Sequence, residues 1–71
     1  MKLTAQIKFG SSKQNIVKFG NNRYLVYLIS KKEDPDAMDE FKRLMSKELT
    51  VPPGRFHYMG KEGDSYVFEV N

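Results

Sequence analysis

The sequence predicts an α+β fold: a two-layer sandwich, with one helix packed on a mixed sheet of four or five strands in the order ββ(β)αββ. Three observations predict it. Leu3, Ala5, Ile7 and Phe9 alternate with Lys2, Thr4, Gln6 and Lys8, the period of a strand with one buried face. Tyr24 to Ile29 is an apolar run bounded by turn residues. Met38, Phe41, Leu44 or Met45, and Leu49 recur at helical spacing. A helix with one apolar face needs a sheet to cover, so the two layers complete each other.

The elements follow in chain order. Gly10-Ser11-Ser12-Lys13 reads as a loop after the first strand, and Asn15 to Phe19 as the short strand in brackets. Gly20-Asn21-Asn22 turns the chain into Arg23 to Ser30, read as a central strand because it is apolar on both faces. Asp34 is the expected N-cap and Pro35 the first helical residue, since that position needs no amide donor. Asp36, Asp39 and Glu40 complement the positive end of the helix dipole, and Asp39 is spaced to pair with Arg43. Thr50-Val51-Pro52-Pro53-Gly54 ends the helix, because prolines cannot continue it. Phe56 and Tyr58 then share one face of a strand, with Arg55, His57 and Met59 on the other. Gly60 to Asp64 reads as a turn, and Tyr66, Phe68 and Val70 share one face of the last strand. No repeat or linker divides the 71 residues, so residues 1–71 form a single domain, expected to be monomeric.

Composition narrows the chemistry. The absence of cysteine excludes disulfides, thiol catalysis and cysteine-ligated metal sites. One histidine cannot build a histidine metal cluster. The longest apolar run is six residues, against about 20 for a membrane span, and the first residues alternate instead of forming a signal segment. The expectation is a cytoplasmic protein without cofactor, metal or membrane.

Charge is distributed unevenly. Residues 1–32 hold seven bases and no acid, whereas residues 33–71 hold five bases and nine acids. Such segregation suits an anionic partner, RNA or another polyanion. Lys2 and Lys8 share the wet face of the first strand; Lys13, Lys18 and Arg23 follow close behind. Tyr27 lies opposite Tyr24, Val26 and Leu28 on its strand and is free to stack a base. These six residues are the candidate nucleic-acid-binding set. The competing reading is that the lysines only solvate an exposed sheet face.

Other constellations are weaker. Asp34, Asp36, Asp39 and Glu40 lack EF-hand spacing, and capping accounts for them. The Gly10-Ser11-Ser12-Lys13 loop is not a Walker loop and reads as a turn. His57 is the one side chain suited to general-base work near neutral pH, yet no serine or acid stands in triad order with it. No enzyme is expected.

Two resemblances add to this reading. From Arg23 onward the chain resembles the YggU family of small uncharacterised α/β proteins. Lys47-Glu48-Leu49-Thr50-Val51-Pro52 stands at the helix exit, Phe56 and Tyr58 in the strand after it, and Gly60 at the turn. Upstream, Lys8-Phe9-Gly10-Ser11-Ser12-Lys13 is similar to that family's first loop. The family's Gly-Lys-Ala-Asn segment is absent, with Ser30 to Met38 in its place, and Lys61-Glu62-Gly63-Asp64-Ser65 replaces its Ser-Arg-x-Lys turn. The resemblance therefore implies a fold and no mechanism. Val51-Pro52-Pro53 and Met59-Gly60-Lys61 also resemble parts of the ubiquitin-like β-grasp, which implies a protein-interaction scaffold. The end at Glu69-Val70-Asn71 lacks the Gly-Gly of conjugated members. A non-catalytic binding module for a polyanion is the leading expectation, and a scaffold for a protein partner is the alternative.

Overall fold

A computed structural model describes residues 1–71. It contains β1 (Lys2–Lys8), β2 (Asn15–Gly20), β3 (Arg23–Tyr27), the helix α1 (Ala37–Leu49), a short 3-10 turn (Pro53–Arg55), β4 (Phe56–Glu62) and β5 (Ser65–Val70). One helix packs on one five-stranded mixed sheet of order β2-β3-β1-β5-β4. The bracketed strand is real and forms an edge. β1, not β3, lies at the centre, parallel to β3 and antiparallel to β5.

The topology follows from the loop between β1 and β2. Residues 9–14 carry the chain across the end of β3, and β2 then returns as the outer strand. The loop is held by the Gly10 amide on the Ser30 carbonyl and the Ser11 amide on the Leu28 carbonyl, both at 2.8 Å. β3 is then closed against β2 by the Asn21-Asn22 turn, in which Asn22 takes φ 55°, a left-handed conformation that asparagine tolerates. The β4–β5 hairpin is tighter than expected from sequence. β4 continues to Glu62, opposite Ser65, and only Gly63-Asp64 turn. Gly63 supplies φ 60° at the first turn position, the pattern of a type II′ turn.

The core fills the space between helix and sheet. Leu3, Ala5, Tyr24, Val26, Leu28, Phe41, Met45, Phe56, Phe68 and Val70 form one buried cluster. Phe41 stacks on Phe68 with ring centroids 4.6 Å apart. Phe41 and Met45 of the apolar helix face share this cluster with Val26, Leu28 and Phe56, and Leu49 packs at its margin.

The helix begins later than expected. Asp36, not Asp34, is the N-cap, and its side chain makes no capping bond. The Asp34 carboxylate instead accepts the Asp36 amide at 2.9 Å, and its carbonyl accepts the Ala37 amide at 3.1 Å. That Asx turn places Pro35 before the helix. Arg43 donates to the backbone carbonyl of Asp39 at 3.4 Å, so the expected ion pair does not form. The helix ends where Thr50 turns left-handed and the amides of Thr50 and Val51 return to the Ser46 carbonyl.

Candidate nucleic-acid interface

The helix covers one face of the sheet and leaves the other uncovered. Strand alternation decides which side chains stand there. Thr4 and Lys8 on β1 are level with Arg23 and Tyr27 on β3, and all four face away from Leu3, Ala5, Tyr24 and Val26. Lys2 is on the same face, level with Glu69 of β5 and, beyond it, His57 of β4. Four of the six candidate residues, Lys2, Lys8, Arg23 and Tyr27, thus share one surface.

The other two are elsewhere. Lys18 is level with Tyr24, and its Nζ lies 6.0 Å from that ring on the helix side of the sheet. Lys13 stands exposed in the β1–β2 loop. The basic stripe expected from sequence is therefore divided by the pleat. Residues close in the chain fall on opposite faces.

Ionic pairing divides the surface again. Lys2 Nζ sits 3.3 Å from a carboxylate oxygen of Glu62, while Glu69 lies 3.6 Å from the amino terminus. The β5–β4 side of the face is thereby neutralised. Arg23 and Lys8 have no carboxylate partner and lie four residues apart along β1 and β3, roughly 13 Å at 3.3 Å per residue.

Each of these two cations shares its part of the face with an aromatic residue. Lys8 is level with Tyr27 in the parallel ladder. The Arg23 guanidinium lies 5.2 Å from the centroid of Phe19, within cation–π range. Phe19 is 50% exposed and was not expected from sequence as part of the surface. Its signal was the spacing of Asn15, Val17 and Phe19 on one side of an edge strand. Leu25 and Val17 fill the ground between the two cation–aromatic pairs.

No family model, curated protein or solved structure matches this chain. The functional reading therefore rests on the surface itself.

The remaining candidates resolve into structural roles. Glu40 accepts hydrogen bonds from the amides of Ile29 and Ser30 at 2.8 and 2.9 Å and from Gln14 at 2.8 Å. It ties two loops to the helix. Asp34 caps a turn, and the acids of the helix start do not gather into a group able to hold a metal ion. In the Gly10–Lys13 loop, the amides of Gly10 and Ser11 are turned inward to backbone carbonyls and cannot cradle a phosphate. His57 is exposed, with its Nε2 2.9 Å from Asn71 Nδ2 just past the end of the chain's last strand. No helix is long and apolar enough to cross a membrane.

Proposed function

We propose that this protein is a small non-catalytic binding module that takes single-stranded RNA, or a polyanion of that kind, across its uncovered sheet face. The observation that carries the reading is a pair of cations without carboxylate partners on one face, Arg23 at 5.2 Å from the Phe19 ring and Lys8 on the same rung of the ladder as Tyr27. A guanidinium or ammonium attracts a phosphate, and the adjacent ring offers a π-face to the base on it. Leu25 and Val17 between them give apolar ground for a further base or ribose. Tolerance of sequence follows, because stacking reads no base edges. The binding is weak and salt-dependent, since its polar part is phosphate neutralisation with counterion release.

A second reading has one observation of its own. β2 is an unpaired edge strand carrying exposed Val17 and Phe19, at 42% and 50%, which suits addition of a strand from a protein partner. Fluorescence anisotropy with a labelled oligouridylate at low and then physiological salt tests the first reading. Binding at low salt that weakens steeply as salt is added supports it. Absence of binding at low salt overturns it in favour of the edge-strand scaffold.

A further inference from the structure

The sheet has a step in it. β1 runs to Lys8, but β5 begins only at Ser65, opposite Gln6. Beyond that point no strand covers the β5 side of β1. The Thr4 amide donates to Asn22 and the Lys8 carbonyl accepts from Leu28, so the even residues of β1 turn their backbone groups to β3. The odd residues turn theirs to the β5 side. The register sets the turn residue Asp64 opposite Ile7, and beyond it the amide of Phe9 points into the step with no strand opposite.

Three lysines from three segments line the same place. A cavity of about 240 Å³ is bounded by Gln6, Lys8, Lys32 of the β3–α1 loop, Lys61 of β4 and Asp64 of the hairpin turn, over a floor of Phe9 and Tyr66. Phe9 meets Tyr66 edge-on at 6.0 Å, and Lys61 Nζ is held 5.0 Å from the Tyr66 ring. None of the three lysines has a carboxylate within 4 Å. Three cations and the free Phe9 amide around one polar cavity are the elements an anion site needs.

We propose that this notch binds a phosphate group that retains a proton: hydrogen phosphate, or a singly protonated phosphate monoester. The lysines and the Phe9 amide supply donors to its oxygens. Asp64 is an acceptor on the same wall, and an anion meets it only if it can donate a hydrogen bond. Hydrogen phosphate can, and sulfate cannot. Because Lys8 belongs to both the notch and the open face, the terminal phosphate of a bound strand is one source of the group and the free anion the other.

The test is a titration of the ¹⁵N-labelled protein with sodium phosphate, and separately with sodium sulfate, at constant ionic strength. The amide of Phe9 shifts with phosphate and those of Thr4 and Val67 do not; sulfate is the weaker ligand. The Lys32→Gln, Lys61→Gln double variant loses about tenfold or more in phosphate affinity. Lys32→Gln alone, in an exposed loop, provides the same comparison if the double variant does not fold. Absence of a shift at Phe9, an equal response to sulfate, or undiminished binding by the variant would overturn the proposal. A further arm compares oligouridylates with 5′-phosphate and 5′-hydroxyl ends. Tighter binding of the phosphorylated strand that the variant loses assigns the notch to a strand terminus; a response to phosphate without that difference assigns it to the free anion. This last arm rests on the RNA reading above, whereas the phosphate titration uses no nucleic acid, so the two can fail separately.

Discussion

The carboxylate of Glu40 accepts the backbone amide of Ser30 at 2.9 Å, joining the first turns of the helix to the segment that leaves the sheet. The neighbouring Ile29 amide and the Gln14 side chain donate to the same carboxylate. Burial alone would raise its pKa, but the hydrogen bonds from Ser30, Gln14 and Ile29 outweigh it and hold the pKa at about 2, against an ordinary 4.5.

A depressed carboxylate pKa gives stability that is present above the unfolded value and lost as pH falls to the folded one. The contribution of Glu40 is thus complete at neutral pH and declines between about pH 5 and pH 2. Glu40→Gln retains one acceptor but no charge, and should cost about 1–2 kcal/mol at pH 7, a figure reduced for partial solvent exposure. Urea denaturation of both proteins checks this. The difference between them should shrink towards zero near pH 2; a gap that persists there would mean that shape, not charge, holds the loop.

Phe41 is fully buried and stacked on Phe68. Phe41→Ala removes a ring from the centre of a small core and should cost about 3–5 kcal/mol. A domain of this size holds roughly 4–11 kcal/mol in total, at 0.05–0.15 kcal/mol per residue. The variant should therefore melt far below the wild type or be largely unfolded at room temperature. Circular dichroism on heating measures it, and an unchanged midpoint would contradict the packing described.

What the sequence makes legible follows from period. β1, β5 and the helix face carry clean repeats of two or of three and four, and their buried sides are readable residue by residue. The bracketed β2 is different. Its pairing with β3 shifts between Lys18 and Gly20, and a shift of one residue exchanges the two faces of a strand. Ahead of that shift Lys18 is level with Tyr24 and projects over its ring on the helix side, not beside Lys8 and Arg23, while Phe19, at the shift, lies beside Arg23. Glu40 shows the other limit. Its acidity suits a helix start, but its partners are ten and eleven residues upstream, a distance no local pattern encodes. The anion notch depends on where one strand stops relative to its neighbour, which only the register reveals.

Thr50 ends the helix at φ 57°, ψ 47°, a left-handed conformation that a β-branched residue adopts at a cost. Glycine at that position removes the clash between Cβ and the following carbonyl while leaving the bonds to Ser46 in place. Thr50→Gly should stabilise the protein by about 0.5–1 kcal/mol, the relief of strain exceeding the added freedom of the unfolded chain. Chemical denaturation with an unchanged slope would register the gain. A loss of stability would show that the threonine side chain makes a compensating contact.

The two faces of the sheet offer the sharpest test of the RNA reading. Arg23 and Lys18 are both exposed, both come from the acid-free part of the chain, and neither belongs to the core. Replacing either by glutamate changes the net charge by the same amount. If binding responded only to net charge, Arg23→Glu and Lys18→Glu would weaken it equally. If the strand lies on the uncovered face, Arg23→Glu removes a phosphate partner, leaves Phe19 without its cation and should reduce affinity about tenfold or more at low salt. Lys18→Glu, on the helix side, should cost only the small long-range term, about twofold and vanishing as the Debye length shrinks to about 10 Å at 0.1 M salt. Anisotropy titrations of the two variants with the same oligouridylate measure the ratio. Equal losses would detach the binding from the sheet face and leave it a property of net charge.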